Sequence, residues 1–153
     1  MLLSQTTEYA VRAVVFIAAR HPPTVRASEL AETLELPRNY LCKTLGALAR
    51  AGILASTRGP NGGFRLRRAP SAITLSDVTR AFVPSSPRRC LLGLGPCGQN
   101  PDCPVHHRWL PSAQSIDRFF HSTTIGDLVA SSAQHSPTSG VGAPVDHPLL
   151  QAS

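Results

Sequence analysis

The chain has 153 residues, 42% of them hydrophobic, which suits one domain with a small appendage and a core of its own. No run approaches the roughly 18 to 20 uninterrupted apolar residues of a membrane span. The N-terminus, MLLSQTTEYAVRA, sets no basic segment ahead of an apolar one, so the expectation is a cytoplasmic protein without a membrane partner. Fifteen Arg and Lys against nine Asp and Glu leave a net charge of +6. The surplus is concentrated: from Leu36 to Ser76 the chain holds Arg38, Lys43, Arg50, Arg58, Arg65, Arg67 and Arg68 and no acid. Such a block is either the footprint of a phosphate-bearing partner or a solvated face, and composition alone does not choose.

The elements, in chain order, choose. Over residues 4–20, Ala10, Ala13, Val14, Ile17 and Ala18 recur at helical spacing, with Ser4 as N-cap and His21-Pro22-Pro23 as the stop. A short second helix covers about Ser28 to Leu34, turning inward Leu30, Ala31 and Leu34. After a turn at Leu36-Pro37, a third runs from Arg38 to Arg50 with Leu41, Leu45, Leu48 and Ala49 inward and Ala51-Gly52 as its stop. Two short helices joined by a tight turn, the second basic on its outer face, are a helix-turn-helix. Ile53–Arg58 and Phe64–Arg67 then flank Gly59-Pro60-Asn61-Gly62-Gly63, a hairpin with Asn61-Gly62 suited to positive φ. A hairpin in that place is a wing, and Arg58 and Arg65 would project from it toward a groove. The fold expected is mainly α with a small β-hairpin wing: a winged helix-turn-helix domain plus a dimerisation helix.

The stretch CLLGLGPCGQNPDCPVHHRW, residues 90–109, carries Cys90, Cys97 and Cys103 amid loop-forming Gly and Pro. Reduced thiols in the cytoplasm favour metal binding or redox chemistry over disulfides. Structural zinc sites favour pairs two to four residues apart, whereas gaps of six and five make a wider loop, suited to an iron–sulfur cluster. Zinc, no metal and reversible thiol chemistry stay open beside it. Cys42 stands apart in a helix and reads as a small packed side chain. Beyond Cys103, helical spacing resumes at Trp109, Ala113, Ile116, Phe119 and Phe120, which makes either a helix packed only on its own domain or, where the aromatic face is exposed, one that needs a partner. Pro111 is tolerable in a first turn but kinks a helix already under way. From Ser131, Ser, Pro and Gly dominate, and a disordered tail is expected, with His135 and His147 solvated. The divisions expected are 1–82 for DNA binding, 83–106 for the cysteine loop, 107–130 for the dimerisation helix and a short following helix, and 131–153 for the tail.

The chain resembles the IscR/NsrR family of bacterial winged-helix regulators, many of which carry iron–sulfur clusters. The residues that carry the resemblance are Leu3-Ser4, Thr7-Glu8-Tyr9-Ala10-Val11-Arg12-Ala13, Leu30-Ala31-Glu32, Pro37-Arg38-Asn39-Tyr40-Leu41 with Lys43, and Ala51-Gly52-Ile53-Leu54. To these are added the wing Arg58–Leu66, Ile73–Val78, the cysteine loop and Thr124–Leu128. Leu2 stands where the family usually has Arg, and Cys42 where it often has a polar side chain. The resemblance implies a homodimeric transcription regulator, a repressor, binding double-stranded promoter DNA under the control of an iron–sulfur cluster of the 2Fe–2S or 4Fe–4S type. The signal would be nitric oxide, iron or redox state. It implies DNA contacts from Arg38, Asn39, Tyr40 and Lys43 on the recognition helix and from Arg58, Gly59 and Arg65 on the wing. Cys90, Cys97 and Cys103 carry over as cluster ligands. The fourth is His106, which shares a helix face with Cys103, or Glu8, where one branch uses a carboxylate from the other subunit, or neither of them; His107 points about 100° away. Cluster-free repression with structural or redox cysteines is the alternative. An enzyme is not expected, nor a small-molecule substrate, since no oxyanion or substrate motif accompanies the Cys and His residues.

Overall fold

Ser4 caps the first helix: its hydroxyl accepts from the Thr7 backbone N–H at 3.3 Å, and α1 runs Gln5–Ala19 in this computed structural model. The structure describes residues 3–20, 24–59, 62–82, 90–92, 95–97 and 103–134, so His21-Pro22-Pro23, Pro60-Asn61 and the tail beyond 134 lie outside the described residues. In order follow α2 (Ala27–Thr33), α3 (Arg38–Arg50), β1 (Leu54–Thr57), β2 (Gly63–Leu66), a 3-10 turn at Pro70–Ala72, α4 (Leu75–Arg80), α5 (His106–Ser122) and α6 (Ile125–Gln134).

The apolar stripe of α1 packs against α3 and the wing because its small residues permit close approach: Ala10, Ala13, Val14 and Ile17 are all fully buried. In α3 the inward stripe is Leu41, Thr44, Leu45 and Leu48. Thr44, absent from the expected stripe, is tolerated there because its hydroxyl donates to the Tyr40 carbonyl at 3.1 Å; Ala49 is only partly buried.

Both helices of the helix-turn-helix end in the same motif. Leu36 N–H bonds the Ala31 carbonyl (2.9 Å) and Glu35 N–H that of Glu32 (3.3 Å), while Ile53 to Leu48 (3.0 Å) and Gly52 to Ala49 (3.1 Å) repeat the pattern after α3. The motif needs a left-handed residue at its turn. Gly52 supplies it at φ 74°, but the first copy uses Glu35 at φ 54°.

The wing pairs antiparallel, Leu54 with Leu66 and Thr57 with Gly63, burying Leu54 and Leu66 on one face. Val25 adds a one-residue third strand through two hydrogen bonds to Phe64. Gly62 is needed for close approach rather than the expected positive φ: a Cβ there would lie 2.3 Å from the Thr57 carbonyl oxygen, and the positive φ sits at Gly59.

The core does not stop at residue 82. Thr74 and Asp77 form a capping box on α4, and Thr124 and Asp127 form its counterpart on α6. The Thr124 hydroxyl, then its backbone N–H, holds the Asp127 carboxyl below the usual carboxylate range. The two caps are joined edge to edge, Leu75 N–H to the Thr123 carbonyl (3.0 Å) and Ile125 N–H to that of Ile73 (2.8 Å). This seats Ile125, fully buried, in the core and lays α6 on α1.

Three expectations change. Helix α6 continues through Gln134, past the Ser131 boundary expected for the tail, because Leu128 and Val129 pack on the core and hold it. Pro111 falls inside α5, beyond the first turn. The aromatic stripe of α5 divides: Ala113 is buried and Phe120 packs on the chain's own core, leaving Phe119 as its exposed large apolar residue.

Glu35 carries a left-handed strain of about 1 to 2 kcal/mol that glycine avoids. Glu35→Gly is expected to raise unfolding free energy by about 0.5 to 1 kcal/mol after the entropic cost of glycine. Gly52→Ala lowers it by about 1 kcal/mol. Chemical denaturation of both variants checks the pair; a destabilised Glu35→Gly would contradict it.

Candidate functional site

Burying Leu41, Leu45 and Leu48 turns the other side of α3 outward. Arg38, Asn39, Cys42 and Lys43 are exposed there, one turn of alternating guanidinium, amide, thiol and ammonium groups. No acid stands in the first turn, and neither Arg38 nor Lys43 is in an ion pair among the described residues. At the wing, Arg58, Gly59 and Arg65 are exposed and equally unpaired. Arg68 differs. It bonds the Ala72 carbonyl (3.0 Å) and Asp77 (3.3 Å), so its charge serves the fold.

Tyr40 is half-buried, and its hydroxyl hydrogen-bonds the Thr6 hydroxyl of α1. Its ring stands edge-on to Tyr9 at 5.7 Å, and Tyr9 in turn accepts from the Gln5 amide at 2.8 Å. The start of the recognition helix is thereby pinned to the start of α1. Thr6 carried no signal in the sequence, because its role is a contact across 34 positions of chain.

The expected ligands come together as two pairs. Cys90 and Cys103, both buried, place their Sγ atoms 3.5 Å apart; Cys97 Sγ lies 3.5 Å from His106 Nδ1. Among the described residues no three Cys, His, Asp or Glu side chains converge on a single ion, and no cysteine is in a disulfide. Glu8 is exposed in the first turn of α1, with no side-chain hydrogen bond or ion pair among the described residues. His107 is exposed, and Cys42, expected to be packed, is exposed too. The loop is closed by Cys90 N–H on the Gly95 carbonyl at 2.8 Å, and Cys103 leads straight into α5 through its carbonyl and His106 N–H at 3.2 Å.

These separations suit two ligands on one tetrahedral ion each. With metal–sulfur distances of about 2.3 Å and metal–nitrogen of about 2.1 Å, ligand pairs sit about 3.6 to 3.8 Å apart. A donor set of three thiols and one imidazole therefore fits a two-metal group better than a single zinc ion. At its far end α5 is latched to α4. The His121 Nδ1–H donates to the Asp117 carbonyl (2.7 Å), leaving Nε2 to accept from Arg80 (3.1 Å) and the Ser76 hydroxyl (3.2 Å).

A family model described as an iron-dependent transcriptional regulator (Rrf2) matches residues 3–131. The chain is 34% identical over 138 residues to a protein of Aquifex aeolicus (strain VF5) described as an HTH-type transcriptional regulator, a match spanning 88% of this chain and 96% of that one. Among solved structures it is similar to CymR (YrzC), the global cysteine regulator of B. subtilis, with a TM-score of 0.74 at 26% identity, covering 86% of this chain and 98% of that one. It is also similar to T. potens IscR, with a TM-score of 0.71 at 23% identity, covering 92% and 94%.

Because the Tyr40 hydroxyl is engaged by Thr6, Tyr40→Phe is expected to cost about 1 kcal/mol of stability, and adding Thr6→Val costs little more. The DNA sequence preferred by the variant stays that of the parent. Denaturation of the double-mutant cycle, with binding to a panel of DNA sites, checks both halves; additive losses or an altered preference would count against the lock.

Proposed function

We propose that this chain, which belongs to the Rrf2 family of transcriptional regulators, is a homodimeric cytoplasmic repressor whose affinity for promoter DNA is set by a 2Fe–2S cluster. The observation that carries the reading is the pairing of Cys90 with Cys103 and of Cys97 with His106, each at 3.5 Å. Each iron of a 2Fe–2S cluster takes two protein ligands, whereas each iron of a 4Fe–4S cluster takes one, so close pairs favour the smaller cluster. His106 is the fourth ligand on this reading, because it lies beside Cys97; Glu8 of a second copy is the alternative. When bound, the cluster supplies a centre that gains or loses an electron and reacts with nitric oxide or responds to iron supply.

The chain's own residues carry the consequence. Cys103 and His106 fix the start of α5, His121 fixes its end to α4, and the paired caps at Thr74 and Thr124 pass its position to α6 and hence α1. Helix α1 holds Tyr40 at the mouth of the recognition helix. A displacement at the ligand end thus has a packed route to the side chains that meet DNA. Arg38, Lys43, Arg58 and Arg65 contribute phosphate contacts, and Asn39 a base-edge contact. Phe119, exposed on α5, supports a second copy as the covering partner.

A second reading rests on the Cys90–Cys103 pair and the likeness to the cysteine regulator: closing 3.5 Å to a disulfide would make the switch a thiol one, without metal. Anaerobic purification with iron and sulfide quantitation separates the two, followed by promoter binding with and without the cluster. Iron and acid-labile sulfide in equal amounts support the cluster; metal-free protein whose binding follows thiol oxidation supports the alternative.

Serine at Cys90, Cys97 or Cys103 is expected to abolish cluster assembly, and Cys42→Ser to leave visible absorption unchanged. His106→Ala should alter the visible circular dichroism while Glu8→Ala should not; the reverse result would move the fourth ligand to Glu8. Arg58→Ala is expected to weaken promoter binding about ten-fold and reduce the slope of log affinity against log salt by about 1. A salt titration identical to the parent's would remove Arg58 from the interface.

A further inference from the structure

The indole Nε1–H of Trp109 is buried and has no hydrogen-bond partner among the described residues. Burying such a donor unpaired costs about 1 to 3 kcal/mol, and native structures rarely leave one orphaned without a reason. Its position suggests the reason. Residues 106, 109, 113, 116 and 120 make one stripe along α5, all partly or fully buried; Leu110 beside it is partly buried, and 107, 108, 111, 112, 114, 115, 117, 118 and 119 are exposed. His106 and Trp109 are one turn apart on that stripe, so the indole emerges on the face where His106 meets Cys97. The backbone there is firm: Trp109 N–H bonds the Val105 carbonyl at 2.8 Å and His106 N–H that of Cys103 at 3.2 Å. The donor set on that face fits an iron–sulfur cluster, whose sulfur atoms are hydrogen-bond acceptors.

We propose that Trp109 donates its indole N–H to a sulfur of the cluster held by Cys97 and His106, and that this bond sets the cluster's reduction potential. The inference rests on the cluster reading above. A donor facing cluster sulfur stabilises the added negative charge of the reduced state and so raises the potential. Trp109 is then a positioning and tuning residue, beyond the ligands themselves.

Trp109 is the chain's single tryptophan, which makes the test selective. Growth on benzothienylalanine, a tryptophan isostere with sulfur in place of the N–H, removes the donor at this position alone and keeps its volume. Trp109→Phe is the companion variant. Parent, isostere-labelled and Phe proteins are reconstituted anaerobically, and iron and sulfide are quantified first. Redox titration and resonance Raman spectra in H₂O and D₂O follow. The parent's iron–sulfur stretching bands are expected to shift on deuteration, the isostere's to lose part of that shift, and both altered proteins to reduce at more negative potential. Unchanged deuterium shift and potential in a fully loaded isostere protein would overturn this inference and leave the cluster reading intact. A parent that takes up no iron or sulfide would overturn both. Weakened self-association of the metal-free isostere protein, with unchanged spectra when loaded, would assign the indole to the second copy instead.

Discussion

The joint between Ile73–Leu75 and Thr123–Ile125 holds the molecule's two halves in register. Two backbone hydrogen bonds there unite the caps of α4 and α6, and each cap satisfies its own helix's first N–H groups with a Thr and an Asp. The long helix α5 leaves the cysteine loop, and the chain must return from its far end to bury Ile125 against α1. The joint adds to the His121 latch on α5 and to the packing of Leu128 and Val129 on α6 the register that seats Ile125. Gly126 sits at the contact, where a Cβ would come 3.2 Å from the Ser71 backbone nitrogen, so the approach of α6 to the 3-10 turn is itself set by a missing side chain.

On the function proposed above, that joint gives physical content to control of DNA binding from a distance. Coupling between two sites requires packed elements with discrete arrangements rather than proximity alone. Here the ligand residues stand at one end of α5, the His121 latch and the paired caps at the other, and α1 lies beneath α6 and against α3. Each link is a hydrogen bond or a buried contact between named residues. The recognition helix is oriented by its own Leu stripe and by the Thr6–Tyr40 pin, so the element that meets DNA and the element that meets the regulatory loop share one core.

The charges follow a different logic. Arg68 is consumed by the fold through Asp77, and Arg20 pairs with Glu29, whereas Arg38, Lys43, Arg58 and Arg65 are exposed and unpaired among the described residues. Exposed cations add little to stability. On the function proposed above, they neutralise a polyanion and release its counterions. The same sequence block that looked uniformly basic is therefore divided by the fold into structural and available charge.

Local physics determined much of this protein in advance. Helical spacing placed α1, α2 and α3, the acid-free run from Leu36 to Ser76 marked the basic surface, and the Gly-rich turn between two short strands marked the wing, because each depends on residues near one another in the chain. The cluster of ligand-type residues was legible for the same reason. What sequence could not supply was anything decided by contacts between distant segments: that Thr44 and not Ala49 completes the α3 stripe, that Glu35 takes the left-handed turn glycine would have favoured, and that α5 turns four of the five positions of its expected apolar stripe toward the chain itself. The pairing within the ligand set, Cys90 with Cys103 and Cys97 with His106, belongs to this second class, since spacing alone allows every combination. So does the orphaned indole of Trp109, which becomes visible only when burial and hydrogen bonding are known atom by atom. Period and composition act through neighbours; register, pairing and unmet polar groups arise only once the chain has closed on itself.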